Sequence, residues 1–262
     1  MRGLLTRMHE WMSQYMKSFY SDDEEVQRGI LIKEKHTGYV TANCVELAKF
    51  LKLSTHDVEL AEIIGLFHDV GRFRQYSIYK TFNDADSEDH ADLALKVIDE
   101  LEFFKELAAS DYKIVKFAIQ NHNKMTIAPT DDERKKFFAE IIRDADKLDV
   151  YRVLEPFLAQ ANVDKMPNFI KSTSRLVADV SPDFVENFVT GKQADYRKIR
   201  TNGDRKIVRL MWIYDINFSW TMRKIVERGY IEKIVENLPM DEKIAAGVRR
   251  LRQHVDNKLK ES

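Results

Sequence analysis

The stretch Ile63-Ile64-Gly65-Leu66-Phe67-His68-Asp69-Val70-Gly71-Arg72 runs an apolar segment straight into a histidine and an aspartate. His68 lies four residues after Ile64 and seven after Ala61, so it closes the buried stripe of a helix. The same test places three more histidines. His36 is followed on one face by Val40, Cys44, Leu47 and Leu51; His90 by Ala94, Val97 and Leu101; and His122 is preceded by Val115 and Ala118. One such histidine is simply a core residue with a hydrogen-bond partner. Four on successive helices would each need a partner of their own, whereas one shared metal site accounts for them all, as in helical bundles whose inward side chains build a metal centre.

A further carboxylate is expected from Arg143-Asp144-Ala145-Asp146-Lys147-Leu148-Asp149. Asp146 follows Phe138 and Ile142 at helical spacing and faces inward, while Asp144 follows Glu140 and reads as more exposed. Asp149 shares enough of the inward face that spacing does not separate it from Asp146; it would serve as an acceptor orienting a ligand. A second His-Asp pair, His56-Asp57, follows Ser54 and Thr55 and reads as a solvated helix start.

Around these residues the pattern is helical throughout. Apolar positions recur every three or four residues and no segment alternates with period two, so the fold class is all-α. Helices are expected over residues 24–35, 37–53, 55–69, 87–107, 111–121 and 131–158, with starts at Ser54, Ser87 and Ser181-Pro182 and stops at Gly71, Pro129, Pro156, Pro167 and Pro239. Residues 72–86 lack a helical period and read as a long loop. Residues 1–20 carry Leu4, Met8, Trp11, Tyr15 and Phe19 at helical spacing, which favours an amphipathic helix docked on the fold over a transit peptide or a membrane-surface helix. A composition shift near residue 159 divides the chain into units 1–158 and 159–262.

Composition narrows the classes. The chain has 262 residues with 42 basic and 43 acidic side chains, a balance that offers no overall drive towards nucleic acid. Its single cysteine, Cys44, excludes a disulfide framework and a thiolate zinc cluster, and points to a reducing, cytoplasmic setting. No apolar stretch reaches the 18 or so residues of a membrane span, and no export segment is evident. Residues 192–209 hold seven basic and two acidic side chains, which read as a solvated helix face rather than a polyanion site. Trp212, Tyr214, Phe218 and Trp220 read as core.

The order His36, His68-Asp69, then Asp146 within Asp-Ala-Asp-Lys-Leu-Asp resembles the HD-domain superfamily of metal-dependent phosphohydrolases. The resemblance spans about residues 30–155 and implies an HD-type helical bundle, here with additional C-terminal helices. By that resemblance His36, His68, Asp69 and Asp146 would hold one metal, and Asp69 would bridge to a second held by His90 and His122. The chain lacks the His-Asp-x-x-Glu-Asp signature of the stringent-response hydrolases and the Gly-Tyr-Pro element of the cyclic dinucleotide phosphodiesterases. It reads Val70-Gly71-Arg72 where many two-metal relatives carry lysine, so substrate identity does not transfer.

Imidazole and carboxylate donors suit Fe or Mn, and also Zn, Co or Ni. What the resemblance implies, and this donor set can serve, is hydrolysis of a nucleotide or other small phosphate ester by a metal-activated water. Asp69 and Arg72 would carry the catalysis, and Arg72 and Lys147 would bind the substrate's phosphate. Arg72 has an equal alternative as a charge complementing a helix C-terminus at Gly71. The alternatives for the chain as a whole are a di-iron oxygenase using the same ligands and a non-catalytic nucleotide sensor. The expected partner is a small phosphorylated molecule rather than nucleic acid or membrane, and assembly into a homo-oligomer is compatible with the sequence.

Overall fold

Leu4, Leu5, Met8 and Met12 recur at helical spacing and are buried, which makes Arg2–Lys17 (α1) an amphipathic helix docked on the fold. Trp11 stacks on Tyr15 and Phe67 at its edge. The computed structural model describes residues 1–158, 179–192, 195 and 198–261, and among them it is all helical with no strand. No helix among the described residues is long and apolar enough to cross a membrane.

The first of two compact units spans Met1–Asp149. Asp23 accepts from the backbone N–H groups of Glu25 and Val26 and starts α2, which runs unbroken over Glu24–Phe50. The break expected at residue 36 is absent. Gly38 has open space around it, so it costs the helix only propensity and leaves His36 in mid-helix. Ser54 accepts from the Asp57 N–H and starts α3, Thr55–Phe67. α3 packs along α2, where a Cβ on Gly65 would meet the Thr41 Cα at 2.9 Å. Cys44 is buried there, and burial pushes its thiol pKa up, so it behaves as an inert core residue.

The expected loop over residues 72–86 is corrected by the structure: Val70–Tyr79 is a helix, α4, and Asp84–Asp86 a 3₁₀ turn. Val70, Phe73 and Tyr76 form its buried stripe, but Ile78 and Tyr79 are exposed, which hid the period. Gly71 therefore ends no helix, and Arg72 lies in the first turn of α4, which removes the helix C-terminus account of Arg72. The glycine serves a close approach instead. A Cβ at Gly71 would come within 2.3 Å of the His90 carbonyl oxygen and 2.5 Å of the Ala94 nitrogen, on α5, His90–Asp99. Gly71→Ala is expected to cost about 1–3 kcal/mol, read by urea denaturation, because backbone must move to admit the methyl group.

Asp89, not Ser87, caps α5, accepting from the N–H groups of Ala91 and Asp92. A 3₁₀ turn at Glu102–Glu106 leads to α6, Ala109–Asn121, and then to α7, Glu133–Leu154. Arg143 on α7 donates to the carbonyls of Asn121 and Met125, and Asn43 of α2 donates to the Ala145 carbonyl. These bonds hold the Asp146 segment against α2 and the end of α6. Asp144, expected to be exposed, is fully buried.

The second unit spans Val150–Ser262. The boundary expected at residue 159 lies outside the described residues, as do Pro167 and Arg197. Its α-helices among the described residues are α8 (Pro182–Thr190), α9 (Asn202–Met211), α10 (Ser219–Glu227), α11 (Tyr230–Val235) and α12 (Glu242–Lys260), with α12 packed on α8 and α10. Thr201 and Asp204 form a capping box at the start of α9. The basic run is only partly a solvated face. Lys192, Lys198 and Arg200 are exposed, but Arg205, Lys206 and Arg209 are buried, Lys206 donating to the Asn237 carbonyl. Trp220 is buried, while Trp212, Tyr214 and Phe218 are partly exposed.

Candidate metal centre

Five segments converge on Asp69, which begins α4 without using its side chain as a cap. His36 comes from the middle of α2, His68 from the end of α3, His90 from the first position of α5, His122 from the end of α6, and Asp146 from α7. Each histidine has its Nδ1 anchored. His68 donates to the Gly65 carbonyl at 2.8 Å and His122 to the Ile119 carbonyl at 2.6 Å. His36 donates to Asp149 Oδ2 at 2.7 Å and His90 to Asp84 Oδ2 at 2.6 Å. A carbonyl can only accept, so the Nδ1 atoms of His68 and His122 carry the proton and their Nε2 atoms present lone pairs.

The four Nε2 atoms point the same way. His36 and His68 approach Asp69 Oδ2 at 3.5 and 3.6 Å, while His90 and His122 approach Oδ1 at 3.4 and 3.7 Å. Within the pairs the Nε2 atoms are 3.4 Å apart for His36 and His68, and 2.9 Å for His90 and His122. At 2.9 Å the His90 and His122 nitrogens are close enough to share one proton or to hold a cation between them. Asp69 Oδ1 is buried with no hydrogen-bond partner, a costly state that a cation would relieve. Asp146 Oδ1 completes the first group, 3.1 Å from His36 Nε2.

Electrostatics prepare the donors. Burial, with Arg72 nearby, lowers the His90 pKa to about 3, and burial lowers that of His68 to about 4, so both are neutral and ready to ligate. For His36, burial and Lys33 act against the charged form, but hydrogen bonds to Asp146 and Asp149 outweigh them and raise its pKa. Burial opposes ionisation of Asp69, yet Lys33 and His68 hold its pKa well below the usual carboxylate range.

His36, His68 and Asp146 place donor atoms within 4.8 Å of one another, as do His68, Asp69 and His122. All nitrogen and oxygen donors, with no sulfur, they fit a divalent transition metal. The structure thus brings together the six residues His36, His68, Asp69, His90, His122 and Asp146.

Arg72 also reaches this centre, its Nε 3.6 Å from Asp69 Oδ1, but its Nη1 is held by Gln75 Oε1, the Phe82 carbonyl and Asp84 Oδ1 at 2.6–2.8 Å. Lys147 follows Asp146 on α7 and is partly exposed. His56 and Asp57 lie apart: His56 pairs with Asp111, and Asp57 with Arg134 and the Ser54 hydroxyl.

Spacing missed Lys33 and Asp84. Lys33 precedes His36 by three residues and so shares its face of α2, a signal that was available. Asp84 lies in an irregular segment, where no period marks it; it accepts from His90, Arg72, Gln75 and Asn123 together.

No match was found among curated proteins or among solved structures. The family model of the HD domain matches residues 34–151, a span that takes in all six converging residues. That family binds divalent metals and lies within a superfamily of metal-dependent hydrolases, in keeping with the helical core and the donor set found here. Residues 34–151, a little under half of the chain, match the HD-domain family model, and the His/Asp cluster they bring together is compatible with that domain's metal site.

Proposed function

We propose that the chain is a phosphohydrolase acting on a nucleotide or another small phosphate ester, with two divalent ions, Fe or Mn by preference. His36, His68, Asp146 and Asp69 would hold one ion, and Asp69, His90 and His122 the other. The observation that supports this reading is the sharing of the two Asp69 oxygens between two histidine pairs. Bound there, the ions would supply a hydroxide at neutral pH and neutralise charge on the phosphoryl oxygens. The chain's own groups do the rest. Asp149, Asp84 and the carbonyls of Gly65 and Ile119 hold the four imidazoles in one tautomer. Asp146, whose side chain is 21 % exposed while that of Asp69 is 3 %, would lie on the side from which substrate enters. Arg72 and Lys147 are the assigned phosphate contacts, Arg72 as a fixed cation beside Asp69.

The balanced charge supports a small substrate rather than a nucleic acid. The test is metal analysis of protein purified without chelator, followed by phosphate release from a panel of nucleotides and simple phosphate esters, with and without oxygen. Release that proceeds anaerobically and persists with Zn or Mn is expected. Strict dependence on iron and oxygen, with no phosphate released, would replace this reading with that of a di-iron oxygenase.

A further inference from the structure

We infer that Lys33 is an exchanging cation of this centre, paired with Asp69 in the metal-free chain and with a phosphoryl oxygen of the substrate once ions occupy that carboxylate. The inference rests on the two-metal phosphohydrolase reading and adds a substrate contact to it. Lys33 Nζ donates to Asp69 Oδ2 at 2.6 Å and stands 5.6 Å from the centre of the Phe82 ring. The same oxygen is the one that His36 and His68 approach. An ammonium and a divalent ion on one oxygen repel each other, so metal binding must displace Lys33.

The side chain has somewhere to go. It is 17 % exposed, on a flexible four-carbon stem. Arg72, by contrast, has one nitrogen tied to three acceptors and cannot follow an incoming anion. Phe82 offers its face to both cations, Arg72 lying 5.9 Å from the ring centre, and keeps positive charge at this edge of the site. Displaced from Asp69, Lys33 is an ammonium without its counter-ion beside the metals, and a phosphoryl group bound to them is the anion within its reach.

Calorimetric titration of Lys33→Met tests this, with Mn²⁺ added to chelator-stripped protein and then inorganic phosphate to the Mn-loaded protein. Loss of a charge-assisted bond predicts changes of about 10- to 100-fold in opposite directions, Mn²⁺ binding tighter and phosphate weaker than in the wild type. Lys33→Gln should behave alike, and Lys33→Arg should recover phosphate binding in part. A merely structural role would weaken both affinities, and that result, or no change in either, overturns the inference while leaving the two-metal reading intact. If the wild type itself binds no Mn²⁺, that reading falls and the role of Lys33 with it.

Discussion

Asp69→Ala is expected to release both metal ions and to lower phosphate release by at least about 10³-fold, since the ions contribute several kcal/mol of transition-state stabilisation. Asp69 lies 3.4–3.7 Å from all four Nε2 atoms, so its loss takes a donor from both histidine pairs at once. The matched control is Asp57→Ala, in the other His-Asp pair. Asp57 contributes its backbone N–H to the Ser54 cap, which alanine keeps. What is lost is the ion pair to Arg134 and the hydrogen bond from the Ser54 hydroxyl. Arg134 retains Asp111, so the cost should be at most about 1–2 kcal/mol in thermal or urea denaturation. Metal content and phosphate release of the two variants decide the matter: a folded Asp57→Ala protein as inactive as Asp69→Ala would mean that the wrong pair has been assigned.

The second large effect is on stoichiometry. Wild-type protein loaded with Mn or Fe should bind two ions per chain, and the double variant His90→Ala, His122→Ala should bind one. The remaining ion would keep His36, His68, Asp146 and one oxygen of Asp69, which the variant leaves in place. Elemental analysis after gel filtration gives the count. A single tightly held ion in fully loaded wild type would remove the two-metal reading and leave His90 and His122 as buried histidines sharing a proton.

Much of this centre could be read from periodicity, because ligands on long amphipathic helices inherit the spacing of the core stripe. His36, His68 and His122 each sit four residues from an apolar neighbour, and a buried face is what a 3.6-residue period detects. What the period could not show lies where structure is set by contacts between elements. The helix α4 was hidden because two exposed apolar residues, Ile78 and Tyr79, follow its short buried stripe. Gly71 read as a helix end because a glycine required by a neighbouring backbone looks, in sequence, like a glycine required by its own φ. Asp144 is buried through packing that its neighbours at helical spacing did not announce. Asp84 belongs to a segment whose shape is set by Arg72, Gln75 and His90, all at some distance in the chain.

The anchoring of the imidazoles carries one more consequence, for the order of events as the chain folds. His68 and His122 each stand at the C-terminal end of a helix, and each donates to a carbonyl three residues back in its own last turn. Those carbonyls are among the acceptors that a helix leaves open at its end, so each proposed ligand ring also finishes its own helix. One histidine of each pair is thereby oriented by local structure alone. The other, His36 or His90, waits for a carboxylate from elsewhere, Asp149 at 113 residues' distance or Asp84 at six. In the proposed centre an arriving cation would therefore meet two imidazoles oriented in advance, at helix ends that turn the negative pole of their dipoles towards it.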